Sequence, residues 1–181
     1  MNALSVLRGL AANNAWSNLR LHRACAKLGV ADYEAERTSF FPSIPKTLNH
    51  ILIVDWYYLD ALEAGGKGRS LFSNEVPFPA LAPLAAAQRE ADMRLVAFTD
   101  GLKDEAALDA EVRMERRDRV QIDRVGNVLL HLNVHQIHHR GQVHAMLSGT
   151  AEPPPQLDEF FMTEELPLRE HELRELGLPI R

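Results

Sequence analysis

The chain has 181 residues, 46% of them hydrophobic, 25% charged and 7% aromatic. That length and composition suffice for one substantial core, which predicts a single domain over 1–181 and excludes a disordered or low-complexity protein. With 20 basic and 25 acidic residues the formal net charge is −5 at pH 7, so no general attraction draws the chain to nucleic-acid phosphates.

In chain order, apolar residues recur at helical spacing from about 3 to 28 (Leu7, Leu10, Ala11, Ala15, Leu19, Leu21, Ala24, Leu28), and Gly29 is placed as a stop. The following ADYEAERTSFFPS has no sustained period and ends in Ser43, whose hydroxyl is expected to cap a second helix over about 44–64 with Pro45 in its first turn. Gly65 and Gly66 end that helix. GGKGRSLFSNEVPFPALAP reads as a long connection. LAAAQREADMRLVAFTD then predicts a third helix as far as Gly101.

EVRMERRDRVQID alternates weakly and fits either a short hairpin or a charged excursion. A fourth helix is predicted over about 124–148, with Gly149 as its stop. Gly141 lies inside it, at about 1 kcal/mol relative to Ala. Pro153 to Pro155 hold the next stretch extended, and LREHELREL forms a short last helix. The expected fold is all-α: an antiparallel four-helix bundle with a core of about 3–149 and a tail of about 150–181 packed across it.

Cys25 is the only cysteine, so one chain can form no internal disulfide, and a reducing cytoplasm fits. A lone Cys on an apolar helix is expected to be buried and inert. Neither a signal-peptide pattern nor an apolar run of about 18 residues is present, which predicts a cytoplasmic protein with no membrane partner.

Five of the eight histidines (His131, His135, His138, His139 and His144) fall in one short segment. His135 and His139 are four apart, so both imidazoles can point at one place in space. Two neutral imidazoles bind Zn²⁺, Ni²⁺, Cu²⁺ or Fe²⁺, and a site needs a further ligand from another element. His131 lies about 12 Å from His139 along the helix and is an awkward third ligand. His22 and His50 are the internal candidates, and His171 sits in a Glu-rich, solvated helix. His50 is preferred, because Thr47, His50, Val54, Tyr57 and Ala61 share one stripe of the second helix. Three imidazoles would leave a position for water or substrate, as in catalytic zinc sites. The residues between His135 and His139 lack the glutamate of HEXXH, which disfavours a protease.

HLNVHQIHHRGQVHAML, preceded by AWSNLRLH and SIPKTLNHILIVDWYYLDAL in the same order, resembles the DinB family over about residues 5–157. The likeness rests on an NHxxHHRGQ pattern in a late helix plus a His near the start of the second. Here the Asn is displaced to Asn133, and Val134 precedes His135. The resemblance implies a four-helix bundle, usually dimeric, with one divalent metal on three histidines; carried over by motif these are His50, His135 and His139. It also implies a small-molecule substrate, and relatives in the wider superfamily use a low-molecular-weight thiol for S-transfer or isomerisation.

Around these ligands, Gln142 lies one turn beyond His139 and can orient a bound group or bond a neighbouring helix. Arg140 can attract an anion or serve as an ion-pair partner. Asp55 can accept from an imidazole N–H or pair with an Arg, and Tyr57 can line the pocket or belong to the core. His138 and His144 read as non-ligands. A three-histidine metal site supports a transferase acting through a thiol or a hydrolase acting through water; the lack of a carboxylate on the ligand stripe leans toward the thiol. Zinc and nickel fit best, and the non-catalytic alternative is a stress-associated metal-binding protein.

Overall fold

A computed structural model describes residues 2–180. Among them the fold is mostly helical with one two-stranded sheet. The long helices are α1 (Ala3–Cys25), α3 (Ile44–Leu62), α4 (Leu81–Gly101) and α5 (Val125–Leu147), with short α2 (Val30–Glu34) and α6 (Glu170–Leu176) and the strands β1 (Glu111–Glu115) and β2 (Val120–Arg124). Each long helix packs on two others, in the order α1, α4, α3, α5 around the core. Leu21, Leu48, Leu52, Leu59, Leu84 and Leu129 are among the side chains sealed between them.

Local chemistry explains most boundaries. Asn2 and Ser5 form a reciprocal capping box at the start of α1. This helix ends three residues earlier than its apolar pattern predicts. Lys27 N–H bonds to Ala24 O and Leu28 N–H to Cys25 O, tightening the last turn before the chain re-enters a helix at Val30. The start of α3 also departs from expectation: the Ser43 side chain makes no capping bond, and Thr47 Oγ1 instead donates to Ser43 O at 2.9 Å. Gly65 is required beyond α3, since a Cβ there would lie 2.3 Å from Asp60 Oδ1.

Asn49 holds the long connection to α3. Its Nδ2 donates to Phe78 O at 2.8 Å, and its Oδ1 accepts from Phe78 N–H at 2.9 Å. The alternation before α5 is indeed a hairpin, antiparallel with Glu111 opposite Arg124 and Glu115 opposite Val120. Val112 and Met114 are its buried side. The tail lies across α1, where Glu172 accepts from Arg20 Nε at 2.8 Å and from Trp16 Nε1 at 2.7 Å, beside a small cluster of Trp16, Phe160, Leu173 and Leu176. No helix among the described residues is long and apolar enough to cross a membrane.

Candidate metal centre

One turn separates His135 from His139 on α5, and α3 packs directly against that helix. His50 occupies the second turn of α3, behind the Pro45-containing start that Thr47 and Asn49 tie down. The three rings come together, with one nitrogen of each within 4.8 Å of the others. His50 Nε2 and His135 Nε2 are 3.0 Å apart, and ring centroids are separated by 4.6 Å for His50–His139 and 4.4 Å for His135–His139. A tetrahedral ion with ligands near 2.05 Å sets its nitrogens about 3.3 Å apart, so side-chain adjustments of well under a turn of helix bring the rings to such an ion.

Electrostatics keeps these rings in the form that coordinates. Burial, reinforced by His139, lowers the pKa of His50 to about 4. Burial and the surrounding imidazoles lower His135 to about 3, and burial also lowers His139. Neutral imidazoles offer lone pairs, and few of these are used within the chain. His135 Nδ1 is buried without a hydrogen-bond partner among the described residues. His139 Nδ1 lies 2.8 Å from Gln142 Oε1; Gln142 therefore accepts from Nδ1–H and leaves Nε2 as the free donor atom.

The other residues singled out from the sequence are distributed differently. His138 is exposed, 3.3 Å from the amide of Gln142 and edge-on to the His139 ring; His144 Nε2 is 3.1 Å from Pro155 O; and His131 lies against the Tyr58 ring. Tyr57 is buried, its hydroxyl donating to Glu115 O and its ring 5.1 Å from Phe72. Cys25 is buried, with its thiol pushed up to about 12 by desolvation.

Asp55 and Arg140 belong to a separate buried network that crosses all four long helices. Arg140 Nη1 donates to Asn14 Oδ1, to Gln136 Oε1 at 3.1 Å and to Asn18 Oδ1 at 3.4 Å. The amides of Asn14 and Asn18 each donate to Asp92 Oδ1 at 2.9 Å. Gln88 Nε2 donates to Asp55 Oδ2 at 2.6 Å and to Asp92 Oδ1 at 3.0 Å, and Gln136 Nε2 also donates to Asp55 Oδ2. Thus neither Asp55 nor Arg140 spends its hydrogen bonds on an imidazole.

Sequence reasoning missed this network, although three polar pairs spaced four apart (Asn14 and Asn18, Gln88 and Asp92, Gln136 and Arg140) sit among apolar positions. It also missed Phe41, in a segment without periodicity, whose ring stacks on His50 at 4.2 Å and 29°. Phe41, Lys46, His50, Ile53, Phe72 and Glu75 line a cavity of about 430 Å³ beside the cluster.

The DinB family profile matches residues 2–171 of the 181. The chain belongs to the DinB family. The match runs beyond the stretch on which the sequence resemblance rests, taking in the tail as far as the first turn of α6. Compared with curated proteins, this DinB chain has no match.

Proposed function

We propose that His50, His135 and His139 hold one divalent ion, zinc or nickel, in a four-helix bundle of the DinB type, and that this centre activates a low-molecular-weight thiol toward an electrophilic small molecule in the cytoplasm. The observation that carries the metal reading is the convergence of three neutral imidazoles from two helices with no carboxylate among them. An ion so held would supply Lewis acidity, lowering the pKa of a thiol or water that it binds. Gln142 fixes the orientation and tautomer of His139, and Phe41 restrains the ring of His50. The adjoining cavity offers apolar walls from Phe41, Ile53 and Phe72, and Lys46 provides a cation for the carboxylate that small thiols commonly carry.

The thiol half of the reading rests on the family resemblance and on the donor set. A hydrolase is the second reading, and Glu75 favours it, because this carboxylate lines the same cavity and can serve as a base. Metal analysis of untagged protein should give about one ion per chain. His50→Ala, His135→Ala or His139→Ala should each remove most of it, and His138→Ala should not. In the Co²⁺-loaded protein, cysteine should shift the visible spectrum, and conjugation of a model electrophile should fall to background in His139→Ala. A Co²⁺ spectrum indifferent to thiols together with ester cleavage that needs Glu75 would favour the hydrolase. Stoichiometric metal with neither activity would leave a binding protein.

A further inference from the structure

A second cavity, of about 470 Å³, lies between α1 and α4 and reaches α6, away from the imidazole cluster. Its walls are mostly small and apolar, including Ala15, Leu19, Ala82 and Ala85. Four polar side chains break that pattern, Arg23 and Arg89 at the rim and the buried His22 and Asp92. His22 is 7% exposed, its ring makes no hydrogen bond among the described residues, and burial holds its pKa down to about 4, so the ring is neutral. Asp92 is 3% exposed. Its Oδ1 accepts three amide hydrogens, whereas Oδ2 accepts none among the described residues.

Charge supplies the second argument. Behind this cavity the buried network sets one cation, Arg140, against two carboxyls, Asp55 and Asp92. The amides of Asn14, Asn18, Gln88 and Gln136 relay hydrogen bonds between them but carry no charge. The Asp92 carboxyl, which lines the cavity, is held up to about 8 by burial, and an ammonium at its Oδ2 would favour the ionised form, so that entry of an amine is coupled to loss of the Asp92 proton. At the mouth the balance is reversed. Arg23 and Arg89 share the single carboxylate of Glu175, at 2.6 and 3.7 Å, so a second cationic group on the ligand would be repelled there.

We propose that this cavity is a binding site for a small monoamine with an apolar body, its ammonium group received by Asp92 and the His22 imidazole. An ammonium donates three hydrogen bonds and has no acceptor role; a neutral imidazole nitrogen is an acceptor, and so is the unused Asp92 oxygen once its proton has left. The alanine walls leave room for the hydrocarbon portion, and its desolvation drives entry.

Calorimetric titration of the full-length protein with hexylamine, 1-hexanol, hexanoate and 1,6-diaminohexane tests this directly. Hexylamine should bind at one site, at least tenfold more tightly than each of the other three. Asp92→Asn should reduce hexylamine to the affinity of 1-hexanol. Ala85→Leu, which fills the cavity from a half-exposed wall position and leaves the network intact, should abolish binding even where Asp92→Asn proves too unstable to titrate. Metal content should be unchanged in Ala85→Leu, which separates this site from the imidazole cluster. Equal binding of hexylamine and 1-hexanol would overturn the proposal in favour of an unspecific apolar crevice, and tightest binding of hexanoate would transfer recognition to the rim arginines. Absence of saturation at millimolar hexylamine would also overturn it.

Discussion

His135 and His139 each precede, by a single residue, a member of the buried network, Gln136 and Arg140, and the 100° between neighbours on a helix sends the two pairs into different worlds. The imidazoles converge with His50 at a partly exposed end of a cavity, and all three are bases with no acid among them. The neighbouring pair enters a buried network in which the amides of Asn14, Asn18 and Gln136 link the guanidinium to a carboxyl and the amide of Gln88 bridges the two carboxyls. A group of lone pairs without donors is complementary to something from outside the chain. A network whose donors are all matched across four helices is largely complementary to itself, although Asp55 Oδ1 and Gln88 Oε1 have no partner among the described residues, and it fixes how those helices register.

The strongest way to break this contrast is Arg140→Met. It keeps much of the side-chain volume but leaves two buried carboxyls without their cation, and removing one partner of such a group costs about 3–5 kcal/mol. Urea unfolding should show a loss of that order. A loss below about 1 kcal/mol would mean that the network contributes little to holding the helices together.

Protons act on the two regions with opposite sign. The His50 and His135 pKa values, about 4 and about 3, lie below the value of 6.5 in an unfolded chain. Their contribution to stability is thus present above pH 6.5 and is lost as the pH falls toward 3. Burial raises Asp55 to about 6 and Asp92 to about 8, from 3.8. Their contribution is full below 3.8 and declines as the pH rises through 6 to 8. For metal-free protein, the two trends oppose each other between about pH 4 and 6.5. Asp92→Asn should remove much of the decline at higher pH, so that unfolding curves taken from pH 4 to 8 show stability rising more steeply toward neutrality than in the parent. An unchanged pH profile in Asp92→Asn would contradict the assignment of that decline to Asp92.

Gln142→Ala sharpens the comparison on the imidazole side. The His139 Nδ1–H loses its acceptor, and loss of such a partner typically lowers metal affinity 10- to 100-fold. Competition with a chromophoric chelator would measure this; unchanged affinity would reduce Gln142 to a surface amide. The smallest effect is expected at Gly141, where an added Cβ meets nothing within 4 Å. Gly141→Ala should stabilise α5 by up to about 1 kcal/mol. Val134 and Ile137 are exposed on the same helix, so this is also a position at which to look for the homodimer expected from the family resemblance. Sedimentation at twice the 20.4 kDa chain mass, reduced to the single mass by Gly141→Ala, would place that interface on α5.

Much of this protein was legible from periodicity and spacing. The four long helices and the short terminal helix follow from residues close together in the chain, because apolar period, proline and glycine act locally; the weak alternation over 111–123 left hairpin and charged excursion open, and the strand pairing decides for the hairpin. The one-turn spacing of His135 and His139 is equally local, and His50 could be selected because its helical stripe is apolar. The early end of α1 and the unused Ser43 hydroxyl go with competing local hydrogen bonds, from Lys27 and Leu28 N–H and from Thr47 Oγ1. What the sequence alone could not decide was the fate of Asp55 and Arg140. Whether a buried charge faces a histidine or an amide depends on which helices become neighbours and on their relative rotation. Those quantities are set by packing between segments far apart in the chain, such as Asn14 with Arg140 and Asp55 with Gln136.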